Sequence, residues 1–432
     1  MARFSPKENN IFLIIAISLS RILLDYTYIT DVSPRYEYRG LTYSFDMSRM
    51  IMSWIVLCIF IVLSLRITKN DNREEQKGAV ILNILLCASA VPTTTIIAYF
   101  DSGVLFSILV SLYWIILVFA YEMHYFEQKF SFVEERMDAL FYCITAVFVL
   151  NIAVIIAVYT GVDVNLNLSD VYEARTIFKQ NQIPTALRYL FFGSTMVFPI
   201  IVVYALKTKK AILAVIASAC QILAFFADGR KSTLFMLILT IVGFCFIKNF
   251  NIRLIPVGSL GIILLGCMEK CFFHSNTIIN FVVRRLYLLP AYLHYAYYDF
   301  FSSHPKDFLR QSIAGRMGMS SPYSKMIPEV VGADYYGGSY ANNGLFSDAF
   351  ANFGIVGVIV YPILLAFALK WLDQSSRNIS IGVSMGVIFS MSYALLSSFF
   401  FTVMLTHGFI ICCVVVALMP AIYSKGRNLR NG

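Results

Sequence analysis

Apolar residues form long continuous runs along this chain of 432 residues, and polar residues gather in the stretches between the runs. Twelve such runs can be drawn, at 10–27, 47–66, 79–100, 104–121, 139–160, 188–206, 211–227, 232–248, 253–268, 345–369, 379–400 and 403–423. A run of about 20 apolar residues has the length of a helix that crosses a bilayer. The pattern therefore predicts an all-α polytopic membrane protein with about 12 transmembrane helices. Arg21 interrupts the first run, which makes that span the least regular of the set.

Composition supports the same class of protein. Hydrophobic residues make up 59% of the chain and charged residues only 14%, whereas an average soluble domain has about 25% charged residues. The surplus of apolar side chains cannot all be buried in a core and must face lipid. The nine cysteines lie mostly inside apolar runs, so they indicate filler positions and no disulfide framework.

Lysine and arginine are concentrated in alternate loops. The rich loops and the termini carry Arg3, Lys7, Arg66, Lys69, Arg73, Lys77, Lys129, Arg136, Lys207, Lys209, Lys210, Lys248, Arg253, Lys370, Arg377, Lys425, Arg427 and Arg430, and the poor short loops carry Arg35, Arg39, Arg175, Lys179, Arg230 and Lys231. The positive-inside rule then predicts that both termini are cytoplasmic. The net charge of +9 follows largely from this topology and does not indicate nucleic-acid binding.

One connection, 269–344, is much longer than the others and is predicted to lie on the extracytoplasmic side. The chain is thereby divided into three parts, which are nine predicted spans at 1–268, the long segment at 269–344, and three predicted spans with a C-terminal tail at 345–432. The segment is rich in Phe and Tyr, which argues against disorder and suits the headgroup zone or a platform for sugar rings. The apolar spacing at Phe281–Phe301 predicts an interfacial amphipathic helix, and a second short helix is expected near Lys306.

Several motif absences narrow the possible functions. The chain has no Walker A motif, no GxGxxG, no HExxH, no CxxC and no DxD of the kind that holds a metal-bound nucleotide sugar. An ATP-driven pump and a nucleotide-sugar enzyme are therefore disfavoured. We expect no cofactor and no metal site.

Cations at the predicted outer face are the main candidates for substrate binding. Arg230 lies in Ala227-Asp228-Gly229-Arg230-Lys231-Ser232, a tight turn between two apolar runs. A helix start beside a guanidinium suits phosphate oxygens. The alternative is a hairpin turn with snorkelling cations and an Asp228 salt bridge within the loop. The other basic candidates on this side are Arg284, Arg285, Arg175, Arg310 and Arg316, for which contact with lipid headgroups is the alternative.

A third group of polar residues enters the tenth span. Asn342-Asn343-Gly344 is followed by Asp348. Asn343 and Asp348 need not share a helix face, but both can reach one cavity at a helix mouth. An aspartate one turn inside a membrane helix is costly unless it is paired or functional. Asp348 can also serve only to complement the helix dipole.

Three stretches resemble the O-antigen polymerase family, which is similar to the O-antigen ligases. They are the turn Asp228-Gly229-Arg230-Lys231-Ser232, the loop Asp170-Val171-Tyr172-Glu173-Ala174-Arg175, and Ala341-Asn342-Asn343-Gly344 with the later Gly354 and Gly357. The likeness in topology covers nearly the whole chain. The ligases have a histidine where this chain has Asn343, and the Arg-x10-Gly pattern of some polymerases is absent.

The resemblance implies a glycosyltransferase of the bacterial inner membrane whose active site is periplasmic. Such an enzyme transfers a growing glycan from undecaprenyl pyrophosphate to an incoming lipid-linked repeat unit, without a metal ion. The partners expected are that lipid-linked oligosaccharide, membrane lipids, a chain-length regulator and a flippase. The alternatives are an O-antigen ligase and a flippase for the same lipid-linked oligosaccharide.

Roles are assigned to individual residues on this hypothesis. The predicted catalytic residues are Arg230, Arg284, Arg285, Asn343 and Asp348, and the predicted substrate-binding residues are Tyr172, Arg175, Lys231, Arg310 and Arg316. Arg230 and either Arg284 or Arg285 would hold the leaving pyrophosphate. Asp348 or another loop carboxylate, Glu329 or Asp334, would orient or deprotonate the acceptor hydroxyl.

Overall fold

The computed structural model describes residues 6–69, 76–123, 134–161, 176–178, 180–247, 250–377 and 379–419. Ten helical stretches in these residues are long and apolar enough to cross a membrane, and they are Asn10–Arg39, Met47–Thr68, Lys77–Tyr99, Gly103–Glu122, Ala139–Thr160, Thr185–Lys207, Ala211–Asp228, Leu254–Phe273, Phe346–Ser375 and Phe400–Leu418. Two shorter apolar helices are Lys231–Phe246 and Ile381–Ser397. Each predicted run coincides with one of these helices, and the described residues contain no β-strand. The prediction of an all-α polytopic membrane protein is confirmed.

The α-helices are numbered in chain order. They are α1 (Pro6–Thr27), α2 (Ser33–Tyr36), α3 (Met47–Thr68), α4 (Lys77–Leu85), α5 (Val91–Tyr99), α6 (Gly103–Glu122), α7 (Glu134–Val154), α8 (Thr185–Lys207), α9 (Ala211–Asp228), α10 (Lys231–Phe246), α11 (Leu254–Phe273), α12 (Leu289–Ser303), α13 (Ile313–Arg316), α14 (Ile327–Tyr335), α15 (Phe346–Ser375), α16 (Ile381–Ser397), α17 (Phe400–Leu405) and α18 (Phe409–Leu418). Shorter π-helical segments occur at Tyr28–Val32, Leu86–Ala90, Ile155–Thr160 and Ile279–Leu288, with a 3₁₀ turn at Glu37–Arg39.

Two of the spans are enclosed by the others. The apolar windows of Lys77–Tyr99 and Thr185–Lys207 are 94% and 83% buried, whereas no other long span exceeds 50%. Peripheral helices such as α9 and α10 instead expose Ile212, Val215 and Phe235. Exposed aliphatic and aromatic side chains on a membrane helix face lipid, so the enclosed spans form the centre of the bundle.

Arg21, the charge that interrupts the first predicted span, is fully buried inside the protein. Its guanidinium donates to Thr94 Oγ1 (2.7 Å), to the Thr94 carbonyl oxygen (3.0 Å) and to Ser53 Oγ (3.1 Å). It also forms an ion pair with Asp25, one turn further along α1. A charge in a membrane helix is tolerated when neighbouring helices satisfy it, so Arg21 joins α1 to α3 and α5.

The helix predicted at Phe281–Phe301 is present, but it is packed inside the protein and does not lie exposed on a membrane surface. It begins with the π-helical segment Ile279–Leu288 and continues as α12. Tyr292, Tyr297 and Phe300 are at most 2% exposed. Aromatic residues surround this helix, and rings from α6 and α15 pack against them, which gives it protein neighbours on most sides.

Helix α15 is broken at Gly354, whose φ of 58° and ψ of −134° are not helical. Because of the break, the carbonyl oxygens of Ala351 and Asn352 accept hydrogen bonds from the backbone amides of Asp307 (3.0 Å) and Phe308 (3.3 Å). A Cβ atom at Gly357 would lie 1.9 Å from the Ala349 carbonyl oxygen, so this position also needs glycine. The two glycines therefore let the long loop dock on an interrupted helix.

Two short helices follow α12 in the long loop. The expected helix near Lys306 begins later, at Ile313, and has only four residues, α13. Phe308 and Leu309 have φ values of 53° and 61°, which a regular helix at this place does not permit. A further helix, α14, covers Ile327–Tyr335.

Candidate functional site

The turn between α9 and α10 holds Arg230 close to Asp228. Gly229 ends α9 in the left-handed region with φ 63°, and α10 begins at Lys231. The Arg230 amide donates to Asp228 Oδ1 (2.8 Å), and Arg230 Nε donates to Asp228 Oδ2 (2.6 Å). The salt bridge within the loop, one of the two interpretations of this sequence, is therefore present.

The ion pair leaves part of the Arg230 guanidinium unused. Its plane lies over the Phe192 ring, with Cζ 3.9 Å from the ring centroid. Arg230 Nη2 is buried and has no hydrogen-bond partner among the residues that the structure describes. Buried donors are normally satisfied, so an acceptor beside Nη2 would complete this site. A ligand oxygen is one group that can supply it.

Arg230 faces a cavity of about 1100 Å³. The turn between α9 and α10, the segment 285–343 and the connection from α16 to α18 all contribute to its walls. The lining includes the cations Arg230, Lys231 and Arg285, the carboxylates Asp228 and Asp307, and the polar residues Asn343, Ser398 and His407. Tyr336, Tyr340 and Tyr393 add aromatic surface. The cavity therefore combines excess positive charge with rings that can pack on sugars.

Arg284 and Arg285 are neighbours in sequence but occupy different environments. Arg285 is exposed and lines the cavity. Arg284 is 4% exposed, lies 4.1 Å from the centroid of the Tyr36 ring and donates to Tyr336 Oη (3.3 Å). Successive residues of a helix point in different directions, so only one of the pair reaches the cavity. Arg284 acts on the site only through Tyr336, which does line it.

Asn343 belongs to a buried polar network behind the cavity wall. Its Nδ2 donates to the Pro290 carbonyl oxygen (3.0 Å) and to Ser347 Oγ (2.8 Å), and lies 3.2 Å from His294 Nδ1. His294 Nε2 is 2.8 Å from Ser89 Oγ. Burial lowers the pKa of His294 to about 3, so this imidazole is neutral and can accept as well as donate. The network fixes the orientation of the Asn343 amide at the cavity.

Asp348 does not line the cavity, so the expectation that Asn343 and Asp348 both reach it holds only for Asn343. Asp348 is 1% exposed. Its Oδ2 accepts from the Phe400 amide (2.5 Å), and its Oδ1 accepts from Asn352 Nδ2 (2.8 Å). The carboxylate therefore connects the first turn of α15 to the start of α17. Both oxygens are already used, which leaves Asp348 a structural contact.

The other carboxylates considered as bases are also away from the cavity. Glu329 pairs with Lys325 (3.0 Å) and accepts from Tyr340 Oη (3.3 Å). Neither Glu329 nor Asp334 lines the cavity. α14 carries both of them behind the tyrosines that line the cavity, so neither carboxylate is part of the cavity wall.

The remaining predicted residues fall into two groups. Arg310 and Arg316 line a second cavity of about 520 Å³ that adjoins the first. Tyr172 and Arg175 lie outside the described residues. The structure thus brings Arg230, Lys231, Arg285 and Asn343 to one cavity, and Arg310 and Arg316 to its neighbour.

His407 is a cavity residue that the sequence did not single out. It lies between α17 and α18, where Thr406-His407-Gly408 interrupts the last predicted span. His407 Nε2 is 3.2 Å from Ser398 Oγ, the one hydrogen-bond partner it has among the described residues. The sequence signal for this break is the polar, glycine-containing triplet within an otherwise apolar run.

Asp307 was also missed. Its Oδ1 accepts from Ser321 Oγ (2.6 Å), and its Oδ2 accepts from the Gln311 amide (2.9 Å). Arg230 engages both oxygens of Asp228 in the same way. Both oxygens of each cavity aspartate are thus engaged. His407 differs, because only its Nε2 has a hydrogen-bond partner among the described residues and its other ring nitrogen is available to accept a proton.

Metal-binding clusters and similarity to known proteins were the two other possible sources of evidence about function. Within the described ranges, no group of three or more His, Cys, Asp or Glu residues is placed to hold a metal ion. Comparisons with protein-family models, curated proteins and solved structures found no match to the chain. The functional argument therefore rests on the cavity itself.

Proposed function

We propose that the protein is a glycosyltransferase that polymerises undecaprenyl-pyrophosphate-linked oligosaccharide repeat units into O-antigen or a related surface polysaccharide. The observation that carries the proposal is the large cavity in a polytopic membrane protein, lined by Arg230, Lys231 and Arg285 from two separate segments. Pyrophosphate is a polyanion for which clustered guanidinium and ammonium groups are the usual protein partners. The three tyrosines of the wall supply surface for sugar rings.

The leaving group is assigned to the cationic side of the cavity. As the bond between the anomeric carbon and the pyrophosphate oxygen breaks, the electron pair goes to the pyrophosphate. Arg230 Nη2, Lys231 and Arg285 stabilise the charge that develops there. The unused donor of Arg230 is important because a guanidinium saturated by Asp228 could not respond to that charge.

The acceptor hydroxyl requires a group that takes its proton. Its oxygen forms the new bond to the anomeric carbon while the proton passes to His407, which Ser398 orients through a hydrogen bond of 3.2 Å. Asn343, fixed by Pro290 and Ser347, supports the wall on which the acceptor lies. In this scheme His407 takes the proton and the cations stabilise the leaving pyrophosphate, so the proposed step uses only side chains of the protein.

The proposal also includes a location. The basic residues of alternate loops favour cytoplasmic termini, which puts the cavity on the periplasmic side of the bacterial inner membrane. The lipid-linked substrate is exposed on that side after it has been flipped. A flippase and a chain-length regulator are the protein partners expected for such an enzyme.

A ligase and a flippase remain the alternatives. The ligase histidine expected at position 343 is replaced by Asn343, and the histidine of this cavity comes from the connection between α17 and α18. A flippase needs charges along a central path. The buried charge of the first span, Arg21, is instead enclosed by Asp25, Ser53 and Thr94. Both observations favour the polymerase.

Reconstitution separates the three activities. The purified protein in proteoliposomes is given synthetic lipid-linked repeat units, and the products are resolved by mass. Longer lipid-linked glycans from repeat units alone support the polymerase. Movement of the lipid across the bilayer without new bonds supports a flippase, and transfer that requires added lipid A core supports a ligase. Either of the last two results overturns the proposal.

A further inference from the structure

A second cavity of about 520 Å³ lies directly beside the first. Four residues line both spaces, and they are Gln311, Ser312, Thr402 and Thr406. The segment that contains Gln311 and Ser312 runs between the two cavities. The second cavity is therefore separate from the candidate site but shares a wall with it.

Two arginines give the second cavity its charge. Arg316 Cζ lies 5.6 Å from the centroid of the Tyr189 ring, and the guanidinium donates to Tyr189 Oη. Arg310 Cζ lies 5.5 Å from the Phe308 ring centroid. In the part of the chain that the structure describes, no carboxylate forms an ion pair with either arginine. Their positive charge is thus uncompensated, unlike that of Arg230.

The other side of the second cavity is apolar. Phe401 and Leu405 come from α17, part of a membrane span, and Ile313 and Met319 come from the long loop. A space with guanidinium groups on one side and a membrane helix on the other fits a ligand with an anionic head and an apolar tail. A phosphate-bearing lipid has this chemistry.

We infer that the second cavity binds the pyrophosphate of the acceptor, a second lipid-linked oligosaccharide, while the cavity of Arg230 binds the donor. This inference rests on the proposed polymerase function. Both substrates of such a reaction carry a pyrophosphate, but only the donor's bond to it is broken. Two polyanions repel each other in one cationic space, so separate subsites joined by a shared wall allow both to bind. Gln311, Ser312, Thr402 and Thr406 lie where the acceptor glycan passes from one cavity to the other.

The stoichiometry of a soluble probe tests the inference without requiring catalysis. Native mass spectrometry of the full chain in a neutral detergent, with farnesyl pyrophosphate added, is expected to show two bound molecules. Arg310→Gln combined with Arg316→Gln should leave one, and Arg230→Gln combined with Arg285→Gln should also leave one. The matched control, Arg49→Gln combined with Lys325→Gln, removes the same charge from residues that line neither cavity and should retain two. Two bound molecules in the Arg310 and Arg316 double variant, or one in the wild type, would overturn the inference.

A second arm distinguishes the lipid-linked acceptor from bulk anionic lipid. Phosphatidylglycerol added to the same sample competes for the second site if that site binds any phosphate headgroup. We expect farnesyl pyrophosphate to remain at two per chain with an equal concentration of phosphatidylglycerol. Loss of one probe molecule in the wild type, with no effect in the Arg310 and Arg316 double variant, assigns the cavity to membrane lipid and contradicts the inference.

The kinetic arm compares two acceptors in reconstituted wild type and variant. One is the pyrophosphate-linked repeat unit, and the other is the same repeat unit on a neutral alkyl chain. In the Arg310 and Arg316 double variant, the KM for the pyrophosphate-linked acceptor should rise about tenfold, because charge-assisted contacts to the pyrophosphate are lost. The KM for the neutral acceptor should stay within about twofold of the wild-type value. Equal effects on both acceptors contradict the inference. If the wild type elongates neither acceptor although it binds two probe molecules, the proposed function fails and the two anion sites stand.

Discussion

Arg21 and Arg230 are both arginines beside an aspartate in a membrane protein, but they serve different purposes. Arg21 is fully buried. Its Nη1 faces Asp25 in an ion pair, and its Nε and Nη2 donate to Thr94 and Ser53, so each of its nitrogens has a partner. Arg230 has a side chain that is 26% exposed and lines a cavity, and its Nη2 has no partner in the described part of the chain. An aspartate neighbour therefore does not by itself identify a structural arginine. What matters is whether a donor remains for a ligand.

Arg230→Ala tests the functional side of this comparison and is expected to have the largest effect. In cells, long polysaccharide should be lost while lipopolysaccharide capped with a single repeat remains, with a fall of about 10²-fold or more in elongation rate. Silver-stained gels at equal expression measure the result. Arg230→Lys, which keeps the charge without the forked donor, should restore part of the activity. Normal ladders with Arg230→Ala would remove Arg230 from the site.

His407→Asn should lower kcat about 10²- to 10³-fold, because a positioned base is lost while the hydrogen bond to Ser398 can be kept. The wild-type rate should fall at acidic pH, where the imidazole is protonated and cannot accept a proton. The variant should lack this acidic limb. Elongation assays across pH measure both changes, and an unchanged acidic limb in the variant would assign the proton to another group.

Arg21→Met tests the structural side. It leaves the partly buried Asp25, whose side chain is 14% exposed, without its cation, which should cost about 2–3 kcal/mol of stability, less than for a fully buried pair. Thermal unfolding in detergent should show a lower midpoint, whereas activity per folded molecule stays near that of the wild type. Arg21→Met combined with Asp25→Leu should recover most of the loss. Loss of activity at full stability would contradict the purely structural assignment.

Gly354→Ala should have a smaller effect on stability. A side chain at this non-helical backbone position costs about 1–3 kcal/mol. The added Cβ would also lie 3.0 Å from Lys306 Cε, but the flexible end of this side chain can move away by a few tenths of an ångström, so elongation should change little. Gly258→Ala, a helical position in α11 with open space around it, is the control and should leave the unfolding midpoint unchanged or raise it slightly. Equal midpoints for both variants would show that the break in α15 does not depend on this glycine.

Glu329→Gln should have the smallest effect of all. Its ion pair with Lys325 is exposed, since the Lys325 side chain is 66% exposed, so we expect a change in stability below about 0.5 kcal/mol. Elongation should stay within about twofold of the wild type. A large loss of rate without loss of stability would return Glu329 to the list of candidate bases.

The membrane helices could be predicted from the sequence because each contains a long apolar run, and lipid leaves no other way to satisfy its backbone. The same reasoning located the turn at Arg230, since a charged hexapeptide between two such runs cannot lie in lipid. It also identified Asn343 as a residue near a helix mouth. These features depend on local sequence, so no knowledge of packing was needed.

What the sequence could not predict depends on contacts between distant segments. Arg284 and Arg285 differ only in the direction of their side chains, which the partners Tyr36 and Tyr336 reveal. Asp348 looked functional because its partner, the Phe400 amide, lies 52 positions away in the sequence. His407 lies inside the last apolar run of the sequence, and only the break between α17 and α18 brings it to the cavity. The amphipathic pattern at Phe281–Phe301 is also typical of a helix on a membrane surface, because the rings that cover this helix belong to other helices.

The docking of the long loop on the broken helix α15 limits how this loop can vary in evolution. Phe308 donates its amide to the Asn352 carbonyl oxygen, and Leu309 donates its amide to Asn352 Oδ1. These bonds use backbone hydrogens, so they are insensitive to side-chain identity and only proline is unable to form them. Both positions also have positive φ values, which glycine and asparagine adopt most easily. We therefore expect homologous sequences to be enriched in glycine and asparagine at 308 and 309, and never to have proline there.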